Sequence, residues 1–283
     1  MSAAPSSRIA ADASPTACSR TELLIAAIAR LLAGCRHVAV GQSSPIPGSG
    51  ALLARRLSGG ALRVSVLGSR RNNFFTDGGV ELFDLAAQGR IDAFFLGGGQ
   101  IDGQGNINLV GAKSDLRGSG SHLGSSGSNV DSDGSNLDGG GGGRSEVRWP
   151  GSFGSAYLYF LVPRVILFRE EHTRRVMVPK VEFVSAPGVS RPDVYRPGGP
   201  HALLTGLGLF SFDKRRQRFN LESAHPGHSV EEILDNTGFE FDRPAAVPRT
   251  APPDAATLAL IRGEIREEIA EVYPRFAASL APA

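Results

Sequence analysis

The chain has 283 residues, 41% of them hydrophobic, and its 30 Lys and Arg against 28 Asp and Glu leave a formal net charge of +2. A chain of this length can bury a sizeable core, as one large domain or two small ones. The balanced charge, with no basic stripe among aromatic residues, argues against nucleic acid or a membrane surface as a partner. No apolar run approaches the roughly 20 residues that span a bilayer.

Two features favour a cytoplasmic location. Cys18 and Cys35 are too few for a disulfide framework and form no C-x-x-C pair, which is typical of a protein with reduced thiols. Residues 1–16 are rich in Ala, Ser and Pro and lack the hydrophobic stretch of a signal peptide. We therefore predict that residues 1–20 form a disordered tail.

The first half of the chain alternates predicted helices and strands. Apolar spacing predicts a helix over residues 22–33, with Thr21 as a plausible N-cap. The next elements, in order, are a strand over 37–41, a loop over 42–50, a helix over 51–57, a strand over 62–67, a helix over 80–88 and a strand over 91–96. Strand, loop and helix repeated in this way imply right-handed crossovers and a mainly parallel sheet.

The second half predicts strands with less room for helices between them. These strands cover residues 156–160, 164–168 and 181–185, so this part of the sheet is expected to be mixed or antiparallel. A short helix is predicted from Ser229 to Asn236, and a longer amphipathic helix over residues 254–271. The predicted fold class is α/β, an open and mainly parallel sheet with flanking helices and mixed strands in its second half.

A Gly- and Ser-rich segment over residues 114–143 interrupts this pattern. It has too few apolar residues to offset the cost of ordering and is predicted to be a disordered insertion. Loop-closure entropy grows slowly with length, so a single domain can accommodate it. We expect that domain to comprise residues 21–113 and 144–264, with 265–283 as the end of the last helix and a tail.

The most informative segment is residues 94–108, where a buried strand breaks abruptly into glycines. Glycine lacks Cβ and lets backbone N–H groups approach a ligand closely. Ligands collect at the carboxyl ends of strands in open α/β sheets. The spacing does not match the dinucleotide fingerprint G-x-G-x-x-G. We interpret this segment as a strand end that lines a site, although a tight turn with close packing is an alternative.

Five segments, taken in order, carry a family resemblance. They are Val40, Gly41 and Pro45 with the helix that follows, then residues 96–108, 149–156, 180–188 and 234–239. Over residues 22–264 without the insertion, the chain resembles the β subunit of family I coenzyme A transferases, of the glutaconate CoA-transferase B-subunit type. The resemblance implies an α subunit as partner, in a heterodimer or an α2β2 heterotetramer. It also implies an acyl-CoA substrate, with coenzyme A as part of that substrate and no separate cofactor.

One position departs from the family pattern. Transferases of this type carry a nucleophilic glutamate at the end of the second strand, where this chain has Leu67. Leucine has no nucleophilic atom, so covalent acyl transfer through this position is chemically impossible. The nearest acids, Asp77 and Glu81, do not fit the pattern.

A branch of the superfamily without this glutamate gives a better match. Residues 148–160 and 163–173 are similar to the β subunits of ring-opening hydrolases of bacterial steroid degradation. The resemblance implies that water adds to a ring ketone of a CoA thioester and that the ring opens in a retro-Claisen step. The alternatives are a true CoA-transferase with a relocated nucleophile, and a non-catalytic subunit that completes the α subunit's pocket.

The candidate site follows from this chemistry. Backbone N–H groups in two glycine-rich segments suit the negative charge of an oxyanion or enolate. The residues expected to bind the oxyanion, the substrate or CoA are Gly97, Gly98, Gly99, Gln100, Asn106, Gly151, Ser152, Phe153 and Gly154. The catalytic base is expected on the α subunit, and no metal is expected.

Other polar clusters have simpler interpretations. Glu170, Glu171 and His172 resemble a metal or acid–base cluster, but neighbouring arginines favour a solvated, salt-bridged strand end. The spacing of the histidines at 201, 225 and 228 does not support a metal site. Residues 70–73 are interpreted either as an anion contact or as a plain surface turn.

Overall fold

The computed structural model describes residues 18–76, 79–114, 145–149 and 151–280. Most of the predicted tail and most of the predicted insertion lie outside these residues, so their disorder and the domain bounds stay predictions. At the margins, Arg20 already belongs to the first helix and Ser114 to a strand. Within the described residues, no helix is both long and apolar enough to cross a bilayer.

A seven-stranded sheet organises the molecule, in the order β11-β10-β9-β8-β3-β1-β2. The strands are β1 (His37–Val40), β2 (Arg63–Val66), β3 (Ala93–Leu96), β4 (Gln100–Ile101), β5 (Ile107–Asn108), β6 (Gly111–Ser114), β7 (Ser145–Arg148), β8 (Arg164–Arg169), β9 (Pro200–Thr205), β10 (Gly208–Asp213) and β11 (Arg218–Ala224). Strands β2, β1, β3, β8 and β9 are parallel, whereas β10 and β11 add antiparallel pairs. The mainly parallel sheet with mixed strands in its second half is confirmed.

Helices cover both faces of this sheet, and each face has its own core. The helices are α1 (Arg20–Leu31), α2 (Pro45–Leu57), α3 (Val80–Ala87), α4 (Ser155–Leu161), α5 (Val230–Asn236), α6 (Ala255–Leu260), α7 (Arg266–Ile269) and α8 (Pro274–Ser279). One core packs α1, α2 and the C-terminal helices against the sheet, and the other includes α3, α4 and the β4–β5 hairpin. Central strands are buried on both faces, which explains runs such as β1 and β3 with no polar alternation.

Two helices begin earlier than their sequence pattern predicts. The N-cap of α1 is Ser19 and not Thr21, because Ser19 and Glu22 form a reciprocal capping box. Helix α2 begins at Pro45 and not at residue 51, since proline suits the first helical position. Gly50 lies inside α2 because a Cβ there would overlap the side chain of Ile28 on α1.

The predicted strand over residues 156–160 is wrong, because this segment forms α4. Aromatic residues favour strands on average, but tertiary packing decides here. Leu158 and Tyr159 are buried on one side of α4, and the Tyr159 hydroxyl donates to Gly105 O at 2.7 Å. In helix α4, Tyr159 is thus placed to make this buried contact.

The predicted strand over residues 181–185 is also wrong, because the segment forms no regular strand. Its backbone instead follows the β4–β5 hairpin irregularly. Ser185 N donates to Ile107 O at 2.9 Å, and Glu182 N donates to the side chain of Gln100 at 3.0 Å. The sequence analysis missed the short strands β4 to β7 and the strands β9, β10 and β11 of the main sheet. Buried residues nevertheless alternate along β10, as in a half-buried strand.

The C-terminal helix is confirmed in position but is not one regular helix. Its apolar stripe of Leu258, Ile261, Ile265 and Ile269 is buried, and the three isoleucines belong to the first core. A π-helical turn over Ile261–Ile265 separates α6 from α7. The predicted tail then contains α8, so ordered structure continues to Leu280.

Candidate active site

The carboxyl ends of β1, β2, β3 and β8 meet at one edge of the sheet, because these strands are parallel. Leu67 lies at this edge, directly after β2. Its N–H donates to Val40 O at 3.0 Å, and its half-buried side chain packs against the second core. This position therefore presents a fixed aliphatic side chain.

A carboxylate distant in sequence holds the turn that follows Leu67. Ser69 Oγ donates to one oxygen of Glu271 and Arg70 N donates to the other, both at 2.6 Å. Burial opposes ionisation, but the hydrogen bonds from Ser69 and from the backbone of Arg70 and Arg71 outweigh it and lower the pKa of Glu271. Sequence reasoning missed this acid, since about 200 residues separate it from the turn and no local pattern marks it.

The loop after β1 offers few donors to a bound anion. Pro45 and Pro47 have no N–H in the first turn of α2. Ser44 N is also engaged, because it donates to the Tyr273 hydroxyl at 3.2 Å. An anion-binding site is therefore better sought at the glycine-rich segments.

The two glycine-rich segments predicted to line the site touch each other. Gly99 packs against Trp149, and a Cβ on this glycine would overlap the indole ring. Gly98 is buried, whereas Gly97 is exposed next to the carbonyl of Phe168. The absence of Cβ at Gly99 is required for this contact, which joins the β3 strand end to the segment beginning at Trp149.

Asp102 fixes the turn between β4 and β5. This carboxylate is buried, and one oxygen accepts from Gln104 N and Asn106 N, each at 3.1 Å. The other oxygen accepts from Asn106 Nδ2 at 3.0 Å. The turn is therefore held by its own side chains before any ligand binds.

The polar atoms of Gln100 and Asn106 contact the protein's own chain. Gln100 Oε1 accepts from Asn108 Nδ2 at 2.9 Å, and Gln100 Nε2 donates to Glu182 at 3.0 Å. Asn106 Oδ1 accepts from Gly188 N at 3.0 Å. These contacts favour a positioning role for both side chains, and their predicted contact with substrate stays a prediction.

The turn over residues 151–155 has unused donors. Gly151, at a φ of +100°, donates to Leu109 O at 3.0 Å, and Ser155 N closes the turn on Ser152 O at 2.8 Å. In the part of the chain that the structure describes, the N–H groups of Ser152, Phe153 and Gly154 donate to no protein acceptor. This turn therefore presents preorganised donors of the kind that stabilise an oxyanion.

The acidic and histidine cluster after β8 has a structural role. Glu171 pairs with Arg169 at 3.1 Å and with Arg175 at 2.6 Å, as predicted. His172 is not solvated, because it is buried between the hydroxyls of Thr205 and Thr237. Burial lowers the pKa of His172 to about 4, so this imidazole is neutral at pH 7.

The remaining predicted clusters are dispersed. His225 is buried, and its pKa is lowered to about 4, first by burial. His228 lies 3.0 Å from Glu232. Arg70 and Arg71 are exposed, whereas Asn72 is buried and accepts from Arg55 at 2.9 Å. Among the described residues, no group of three or more His, Cys, Asp or Glu could hold a metal ion.

The fold and the strand-end loops define a CoA-transferase type of protein. The family model described as "Coenzyme A transferase" matches residues 16–236, and the chain belongs to this family. The B-subunit of glutaconate CoA-transferase from Acidaminococcus fermentans is 29% identical over 178 residues, which are 60% of this chain and 56% of that relative. The IpdB subunit of the cholesterol ring-cleaving hydrolase of Rhodococcus jostii is 34% identical over 96 residues, 32% of this chain and 38% of that relative. The chain thus spans less than two thirds of either relative.

Solved structures show the same fold. Glutaconate CoA-transferase of A. fermentans matches with a TM-score of 0.67 and 23% identity, covering 89% of this chain and 96% of that chain. IpdAB of R. jostii RHA1 also matches with a TM-score of 0.67 and has 24% identity. This match covers 88% of this chain and 94% of that chain. The decarboxylase AibA/AibB matches with a TM-score of 0.63 and 22% identity, and the match covers 94% of this chain and 99% of that chain.

Proposed function

We propose that this chain is the β subunit of a CoA-transferase-like hydrolase that opens a ring of a steroid-derived CoA thioester. The observation that carries the proposal is Leu67, a half-buried aliphatic residue where the family resemblance places the attacking carboxylate. A glutamyl thioester cannot form at this position. The similarity to the IpdB subunit, which is named for cholesterol ring cleavage, supports this branch of the family.

The proposed chemistry is a retro-Claisen cleavage by water. Water adds to a ring ketone, and the tetrahedral adduct breaks its bond to the neighbouring carbon. The former ketone carbon becomes a carboxylate, and the electron pair of the broken bond forms an enolate that a proton then quenches. Charge thus develops on oxygen twice, and each well-placed backbone donor contributes on the order of 10²–10³ in rate.

The N–H groups of Ser152, Phe153 and Gly154, which donate to no acceptor among the described residues, are the proposed donors for this charge. They belong to a turn closed by its own hydrogen bond, so little reorganisation accompanies binding. The contact between Gly99 and Trp149 places this turn near the β3 strand end. The side chains of Gln100 and Asn106 would hold the neighbouring hairpin in position.

The partner in this proposal is an α subunit that supplies the base. Both sequence relatives are named as subunits, and the names AibA/AibB and IpdAB refer to two components, which supports a two-subunit assembly. Coenzyme A enters as part of the acyl-CoA substrate. The cytoplasmic location expected from the cysteines is compatible with such a substrate.

The test uses the chain co-expressed with a candidate α subunit of the same family. The complex is incubated with synthetic ring-CoA substrates, and product is followed in the presence of borohydride or hydroxylamine. We expect ring-opened acid and no hydroxamate or alcohol formed from a carboxylate of this chain, because Leu67 cannot form a thioester or an anhydride. A glutamate or aspartate of this chain converted to its hydroxamate or alcohol would overturn the proposal and favour a CoA-transferase with a relocated nucleophile.

Decarboxylation is a second candidate, favoured by the near-complete coverage of the decarboxylase AibA/AibB. Loss of CO₂ from a β-keto-type acid also breaks a carbon–carbon bond and leaves an enolate. The same donors would stabilise it. The two reactions differ in their products: hydrolysis consumes water and retains every carbon atom, whereas decarboxylation releases CO₂.

A further inference from the structure

Phe153 has an unfavourable backbone conformation and is exposed. Its φ is +41°, a region that bulky L-residues rarely adopt because Cβ approaches the neighbouring carbonyl. Its side chain is 94% exposed, so burial of the ring within this chain does not offset that cost. Strained residues of this kind concentrate at functional sites, where the strain is part of binding or catalysis.

The ring of Phe153 belongs to an aromatic cluster made of Phe83, Phe153 and Tyr157. The rings of Phe83 and Phe153 are 5.8 Å apart with an interplanar angle of 44°, and Tyr157 meets Phe83 edge-on at 5.7 Å. Gly154 makes room for the cluster, since a Cβ there would overlap the Phe83 ring. The cluster therefore lies beside Phe153 without covering it, and the ring stays open to a ligand.

The open ring adjoins the donors of the candidate site. Phe153 and its neighbours Ser152 and Gly154 carry the N–H groups of the turn that meet no acceptor in the described ranges. A group that occupies this place meets backbone donors and an apolar ring at once. A ligand that combines a carbonyl oxygen with an apolar ring satisfies both.

We propose that Phe153 is the contact for the apolar ring of the acyl group and selects cyclic over short linear acyl thioesters. The proposal rests on the proposed function in that it uses the same turn and the same class of substrate. The aromatic face packs against the ring of the acyl group while the N–H groups of the turn hold its carbonyl oxygen.

The test measures binding by calorimetry, without turnover, in the complex with the α partner. The probes are cyclohexanecarbonyl-CoA and acetyl-CoA, and the variants are Phe153→Gly and Phe153→Ala. We expect both variants to bind cyclohexanecarbonyl-CoA about tenfold more weakly because they lose the aromatic contact. Binding of acetyl-CoA should weaken clearly less, because its acyl group has no apolar ring that could lose the aromatic contact. Only Phe153→Gly should also raise the melting temperature, since glycine tolerates a positive φ.

Tyr195→Ala is the matched control, since Tyr195 is an aromatic residue that is 86% exposed on another segment. It should bind both probes like the unmodified complex. Equal affinities in all forms, or an equal loss for both probes, would overturn the proposal. Dissociation of the partner from the Phe153→Ala variant would also overturn it and assign the ring to a subunit interface. If ring opening fails while the selectivity for cyclohexanecarbonyl-CoA depends on Phe153, only the proposed function is wrong.

Discussion

Single side chains set the chemistry available at the strand-end edge. Leu67 supplies neither a nucleophile nor a proton, and the acid near its turn, Glu271, accepts hydrogen bonds at both oxygens. Tyr159 is fully buried, which raises the pKa of its phenol well above the usual value and keeps it a donor to Gly105. In the proposed reaction, charge stabilisation would therefore come from backbone donors, and the proton acceptor would come from the proposed partner subunit.

Two buried histidines should make the stability of the fold depend on pH. His225 Nε2 lies 3.0 Å from Thr205 O, so this nitrogen carries the proton and Nδ1 accepts from the Thr250 hydroxyl. His172 Nδ1 forms a hydrogen bond of 2.8 Å with the hydroxyl of the same Thr205. Burial lowers the pKa of both imidazoles to about 4, below the value of about 6.5 in an unfolded chain.

We predict that this pair destabilises the fold in acid. Because the folded pKa is depressed, the stabilisation is complete above about pH 6.5 and is lost as the pH falls towards 4. Each histidine should contribute a loss of about 2 kcal/mol between pH 7 and pH 5. Urea unfolding at the two pH values measures this, and His172→Gln should remove about half of the difference. An unchanged difference in that variant would show that His172 titrates normally.

At the scale of elements, the turn over residues 151–155 and helix α3 depend on each other. Gly154 faces Phe83 of α3 with no space for a methyl group. A side chain at residue 154 must therefore move the aromatic ring or the turn. The N–H groups proposed to hold the oxyanion would move with it.

We predict that Gly154→Ala lowers kcat at least tenfold, since misplaced donors lose much of the stabilisation that they provide. Assembly with the partner should persist, as judged by size-exclusion chromatography. Gly263→Ala is the matched control, because a Cβ at Gly263 meets nothing within 4 Å. Similar turnover in the two variants would contradict the role given to this turn.

Elements that carry a local sequence pattern could be predicted, whereas elements that depend on tertiary contacts could not. Buried strands such as β1 and β3, and the glycines that follow them, stand out because their signals lie within a few residues. Helix α4 could not be predicted in the same way, since its aromatic residues favour a strand until Tyr159 meets Gly105. The same limit applies to the site, because the contact of Gly99 with Trp149 joins segments 50 residues apart.

At the scale of the whole molecule, the C-terminal segment reaches the candidate site. The π-helical turn over Ile261–Ile265 and helix α7 lie against α2. A Cβ on Gly48 of α2 would lie 3.1 Å from Ile269 Cδ1. The segment then holds two strand-end loops, through the Tyr273 hydroxyl at Ser44 and through Glu271 at Ser69. This segment lies beyond residue 236, where the family match ends, yet it fixes the turn after Leu67.

We predict that Glu271→Gln loosens this turn. A neutral amide offers one oxygen where Ser69 Oγ and Arg70 N now find two, so one donor loses its acceptor. The expected loss of stability is about 1 kcal/mol, measured by urea unfolding at pH 7. Hydrogen exchange should rise at the backbone N–H of Arg70.

Glu267→Gln is the control, because Glu267 is an exposed acid of the same C-terminal segment. This control should change neither the stability nor the exchange at Arg70. The effect of Glu271 should also disappear in acid, since its pKa is lowered in the folded state and its stabilisation is lost as the carboxylate is protonated. If Glu271→Gln and Glu267→Gln unfold alike at pH 7, the C-terminal segment only covers the core and does not hold the turn.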